Sequence, residues 1–173
     1  MSIEPRFIDR PAMIVVGMGT RFEPTCDPGR SDNPIPGLWH RFMQVEGTIR
    51  NRVKGPTYGV MERVPGDDAP CPPPPRELFY IACVPVSEVD PMYEAGGDAE
   101  NPWLVRHVPA GRYASFTHKG KLDTLNVTLQ AIYQVWLPAN RSLLRPGPDI
   151  ELYDHRFSLD SDESEFDTLL PVW

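Results

Sequence analysis

The chain carries a weak copy of itself, and that duplication limits its fold more than any single motif does. "PAMIVVGMG" starts at Pro11 and "PAGRYASFTHKG" at Pro109, an offset of 98 residues. Each runs from Pro-Ala into a strand-like segment that ends on glycine. An amphipathic segment follows in each half. In "IPGLWHRFMQVEGTIRNRV", Leu38, Phe42, Val45, Ile49 and Val53 recur at helical spacing. In "LDTLNVTLQAIYQVWLP", Leu122, Leu125, Leu129, Ile132 and Trp136 do the same. Gly47 weakens the end of the first helix, and Pro138 ends the second. Trp39 matches Tyr133 and Phe42 matches Trp136, at an offset of 94. Two strands close each half: "PTYGVMERV" with "LFYIACVPV", then "PDIELYDHRF" with "EFDTLLPVW". Cys83 to Val86 answer Leu169 to Val172, at an offset of 86.

Each half therefore reads strand–helix–strand–strand, over 5–90 and 103–173 of a single domain spanning 1–173. The expected fold is α+β. The two units join into one curved antiparallel sheet, with two helices on one face and a ligand groove on the other. "SEVDPMYEAGGDAENPW" is the linker, punctuated by Gly96, Gly97 and Pro102. The chain has 21 prolines, many of them in Pro65 to Glu77, a stretch that reads as a stiff extended surface loop.

Composition narrows the function. Hydrophobic residues make up 40% and charged residues 24%, with a net charge of −7. No run of eighteen apolar residues occurs, and the N-terminus lacks the apolar core of a signal peptide, so a cytoplasmic, membrane-free protein is expected. There is no basic block and no helix-turn-helix pattern, so no direct contact with nucleic acid is expected. The three cysteines, Cys26, Cys71 and Cys83, form no CxxC pair and read as free thiols. The four histidines show no metal-ligand spacing; no metal and no cofactor are expected. Neither a nucleophile elbow nor a dinucleotide fingerprint is present.

One stretch stands out. In "GPDIELYDHRF", strand alternation puts Glu151 and Tyr153 on one face and Ile150 and Leu152 on the other. The repeat sets Glu151 against Gly59, so one half supplies an acid where the other supplies no side chain. A carboxylate in an apolar cleft is costly unless it is paired, and a lipophilic cation would pair it. A wet strand face is the plainer alternative.

"HVPAGRYASFTHKG", "IYQVWLP", "DIELYDHRF" and the terminal "LLPV" together resemble the GyrI-like small-molecule-binding family, which includes effector-binding domains of AraC-type and MerR-type multidrug regulators. "LWHRFM" and "YGVMERV" are similar to its stand-alone members. The resemblance implies a duplicated fold around a pocket for bulky, flat, often cationic hydrophobic compounds. It puts Glu151 at the pocket floor, with Tyr153 beside it. Tyr113, Tyr58, Trp39, Tyr133 and Trp136 are candidate walls, with Trp136 equally suited to the core.

The primary expectation is a stand-alone protein that senses or sequesters such compounds. Stand-alone relatives also include hydrolases that open strained cyclopropane rings; here Glu151 would be the general acid–base group, with Tyr153 or Tyr113 assisting. An inhibitor or adaptor that binds an unknown protein partner is a further alternative. The residues leave open whether a bound compound is held or hydrolysed.

Overall fold

The computed structural model describes residues 3–24, 32–63, 77–94, 96–98 and 100–173. The proline-rich stretch up to residue 76, Cys26 and Cys71 lie outside the described residues.

Eight strands form one antiparallel sheet: β1 (Arg6–Arg10), β2 (Met13–Phe22), β3 (Thr57–Arg63), β4 (Leu78–Val86), β5 (Leu104–Val108), β6 (Gly111–Lys119), β7 (Asp149–Tyr153) and β8 (Glu165–Val172). Their spatial order is β1-β6-β8-β7-β3-β4-β2-β5. The duplication is visible in that order, because β3-β4-β2 and β7-β8-β6 are mirror-ordered triplets joined through the β3–β7 pair. In that pair Thr57 faces Tyr153, Gly59 faces Glu151 and Met61 faces Asp149. The two residues that the repeat equates, Gly59 and Glu151, thus meet at the pseudo-two-fold axis. Edge strands β1 and β5 are additions to the expected pattern. Each begins one half but pairs with the other: β1 with β6, and β5 with β2. At five residues apiece, with charges among their apolar positions, they are too short to show a period.

Helix α1 (Ile35–Val45) starts where the Asn33 side chain accepts the Ile35 N–H at 3.0 Å. Leu38 and Phe42 are its fully buried residues, packed with Val16, Ala82 and Val84. The helix is shorter than its stripe: Glu46–Thr48 tightens to a 3-10 turn around Gly47, Ile49 is buried beyond the helix end, and Val53 is exposed. The second helix is α2 (Leu125–Gln130), a π-helical segment Ala131–Trp136, then α3 (Leu137–Ala139). The Leu137 N–H reaches back to the Ile132 carbonyl, a wide turn. Pro138 accounts for it: proline has no N–H for the Gln134 carbonyl, and its ring crowds that carbonyl. Only Ile132 and Trp136 of the apolar stripe enter the core, beside Ala114, Phe116 and Leu170.

Each helix covers the outer strands of its own half. The opposite sheet face carries a core with no helix in it, built from Tyr58, Val60, Ile81, Tyr113, Ile150 and their neighbours. The curled sheet wraps that face on itself. The α+β class, the curved antiparallel sheet and the two helices on one face are as expected. The groove is the difference. It opens on the helix-bearing face, because the helices leave the central β3–β7 pair uncovered, while curvature closes the other face.

Candidate functional site

The cleft occupies about 2120 Å³ between the two helices, with the β3–β7 strands as its floor. At its centre is Glu151, only 6% exposed. Tyr80 Oη donates to Glu151 Oε2 at 2.5 Å, and Tyr153 Oη donates to the same oxygen at 2.8 Å. Trp39 Nε1 donates to Tyr80 Oη at 2.9 Å, so an indole, a phenol and a carboxylate form one relay. Trp39 stands edge-on to Tyr153 with ring centroids 5.1 Å apart, and Tyr153 stacks on Phe166 at 4.8 Å.

Broken symmetry makes this arrangement possible. Tyr80 on β4 and Phe166 on β8 occupy equivalent repeat positions, but only Tyr80 carries a hydroxyl. That hydroxyl reaches Glu151 across Gly59. A Cβ on Gly59 would collide with Tyr80 Oη and lie 2.8 Å from Glu151 Oε2. The glycine is required by side-chain approach, not by backbone angle.

A second acid lies beside the first. Asp149 precedes Glu151 by two residues on the same face of β7, and accepts a hydrogen bond from Tyr133 Oη at 2.9 Å. Burial raises the Glu151 carboxyl above its ordinary range, against the two phenol hydrogen bonds, which lower it. Burial likewise pushes Asp149 up to about 7; the Tyr133 bond and Arg63 oppose the shift, and Glu151 adds to it. The phenols of Tyr80, Tyr153 and Tyr133 are raised by burial first, then by the neighbouring carboxylates, and so stay protonated donors.

These shifts set a pH dependence. An acid whose pKa is higher in the folded state holds more protons folded than unfolded, so stability falls as pH rises through that window. For Asp149 the window runs from its ordinary value of 3.8 to about 7. Urea denaturation of wild type and Asp149→Asn at pH 5 and pH 8 measures this. The wild type is expected to lose stability relative to the variant at pH 8; an unchanged difference would contradict it.

Of the seven residues singled out from the sequence, Glu151, Tyr153, Trp39 and Tyr133 come together in the cleft. Trp136 packs under its helix against Phe116, ring centroids 5.0 Å apart. Tyr58 and Tyr113 face the other way. Arg10 donates to Tyr58 Oη at 2.9 Å, and Arg145 lies over the Tyr113 ring at 4.9 Å. Their placement follows from the groove lying on the helix side. Sequence reasoning missed Tyr80 and Asp149. Asp149 was within reach, since period two puts it on the Glu151 face. Leu125 and Leu129, from the apolar stripe of the second helix, line the cleft. His118 is a core residue whose ring nitrogens meet Thr128 Oγ1 at 2.8 Å and the Lys121 carbonyl at 3.2 Å.

Comparison with known proteins agrees with this architecture. Residues 3–172 match the family described as the GyrI-like small molecule binding domain. The chain belongs to the GyrI-like family. This GyrI-like domain is 32% identical over 175 residues to the transcriptional regulator BrlR of Pseudomonas aeruginosa, covering 99% of this chain and 56% of that protein. The chain thus spans about half the length of that curated relative. Among solved structures it is similar to SAV2435 bound to tetraphenylphosphonium, with a TM-score of 0.74, 13% identity, and coverage of 99% of this chain and 94% of that one. It is also similar to EcmrR in a DNA complex, with a TM-score of 0.60, 16% identity, and coverage of 99% and 58%. At these identities the structural likeness speaks to the GyrI-like fold. No helix among the described residues is long and apolar enough to cross a membrane.

Proposed function

We propose that this GyrI-like domain binds bulky, hydrophobic, cationic aromatic compounds in the central cleft, with Glu151 as the charge anchor, and so serves in drug or toxin sensing or sequestration. One observation carries the reading. Glu151 is buried in an aromatic cage, and among the described residues no Arg, Lys or His forms an ion pair with it. Two neutral phenols orient the carboxylate without neutralising it, which leaves the charge for a ligand. Trp39 and Tyr153 line the cleft, and a ring face turned to the ligand adds cation–π attraction, worth about 0.5–2 kcal/mol per well-placed ring. SAV2435, with the same fold, was solved with a lipophilic aromatic cation. The likeness to BrlR supports a regulatory setting, in which ligand occupancy is read out by another segment or partner.

The test is a tryptophan-fluorescence titration with 1-methyl-4-phenylpyridinium and its uncharged analogue 4-phenylpyridine at pH 8. The cation is expected to bind at least tenfold tighter. Equal binding of the two would show that Glu151 is not a charge anchor.

A second reading, hydrolysis of cyclopropanoid toxins, draws on the two phenol donors converging on one carboxylate oxygen. Water would add across a strained C–C bond, its hydroxyl to one carbon and a proton to the other, with Glu151 as base and a phenol as proton donor. Mass analysis of a strained compound after incubation separates the readings. Recovery of the intact compound supports binding, and gain of one water supports hydrolysis.

A further inference from the structure

We propose that Asp149 forms a second cation subsite beside Glu151, so that the cleft favours flat aromatic dications over monocations of the same shape. This rests on the cation-binding reading of the cleft and adds a specificity to it. Three observations support it.

First, the two acids have separate settings. Glu151 is held by Tyr80 and Tyr153, in the aromatic group that includes Trp39. Asp149 is held by Tyr133 from the π-helical segment, with Leu125 and Leu129 of α2 on the same side of the cleft. Because the residues are i and i+2 on one strand face, their attachment points lie about 6.6 Å apart. A planar bipyridinium dication has a comparable nitrogen separation.

Second, the cleft is large. Its volume of about 2120 Å³ is well above the roughly 300–1,000 Å³ that suffices for one drug-sized ligand. A cleft of that size can hold a flat ligand long enough to reach both acids at once.

Third, among the described residues no Arg, Lys or His forms an ion pair with Asp149. The Tyr133 phenol donates to it, Arg63 attracts it only from an exposed position, and Glu151 repels it. Ionising both carboxylates together is costly in the empty cleft, and one doubly charged ligand relieves both at once.

The experiment compares 1,1′-dimethyl-4,4′-bipyridinium with 1-methyl-4-phenylpyridinium, two planar molecules of nearly the same shape with two charges and one. Calorimetric titrations at pH 8 and fixed ionic strength use wild type, Asp149→Asn, Glu151→Gln and Asp160→Asn. Asparagine keeps an acceptor for Tyr133, and Asp160→Asn makes the same charge change at an exposed site. Wild type and Asp160→Asn are expected to favour the dication at least tenfold. Asp149→Asn should lose that preference by weakening the dication far more than the monocation, whereas Glu151→Gln should weaken both. If wild type binds the monocation but shows no preference, or if Asp149→Asn weakens both ligands equally, the second subsite is overturned and the Glu151 anchor stands. If wild type binds neither, the cation-binding reading fails and this inference fails with it.

Discussion

Glu151→Gln is expected to weaken binding of a flat aromatic cation more than tenfold while leaving the fold as stable as wild type, or more so. The two effects have one origin. The Glu151 carboxylate is buried, and burial opposes its charge. In the empty cleft that charge is a cost, only partly offset by the Tyr80 and Tyr153 hydroxyls. Glutamine keeps the shape and an acceptor oxygen but removes the desolvated charge, so folding stability holds or rises. In the complex the charge is an asset, and removing one partner of a desolvated ion pair costs about 2–5 kcal/mol. Titration together with urea denaturation reads both sides. A variant that binds like wild type would show the acid to be a bystander. A variant that binds poorly because it is unfolded would show in the denaturation curve.

Gly59→Ala is expected to cost about 1–3 kcal/mol of stability, typical of overpacking a tight interior, and to weaken cation binding as well. A methyl group at Gly59 enters the space of Tyr80 Oη. The Tyr80 ring is 1% exposed and tied to both Trp39 and Glu151, so it has little room to swing aside. Removing the hydroxyl should relieve only part of the clash, because the ring carbon that bears it would still lie 2.6 Å from the new Cβ. Gly59→Ala with Tyr80→Phe is therefore expected to regain part of the lost stability without regaining the hydrogen bond to Glu151. Gly47→Ala is the control, since a Cβ there meets nothing within 4 Å. Equal stability of Gly59→Ala and Gly47→Ala would contradict the close approach of phenol and glycine.

The duplication was legible because it lies in order and spacing, which survive divergence of individual residues. The Trp39–Tyr133 and Phe42–Trp136 equivalences hold in three dimensions. The first pair reaches the cleft acids through hydrogen bonds, and the second packs under the helices. Glu151 was legible for a related reason: an acid matched with a glycine is an asymmetry that a structural repeat does not need. Which sheet face held the cleft was not legible. Alternation sorts residues onto two faces but cannot say which face the curvature closes, and that choice sent Tyr58 and Tyr113 to the helix-free core. The helical stripe of the second half also misled. Leucines lining an open cleft have the same period as leucines facing a core, and of this stripe only Ile132 and Trp136 are buried. Tyr80 left no local trace, since its role depends on a partner 71 residues away.

The most direct measurement is a crystal structure of the chain with tetraphenylphosphonium bound. The cation is expected in the cleft between the helices, with Trp39 and Tyr153 against its phenyl rings and Glu151 as the nearest acidic group. A cation seated elsewhere, or one in the cleft with Glu151 still shielded from it by the tyrosines, would contradict the claim that this carboxylate is the anchor.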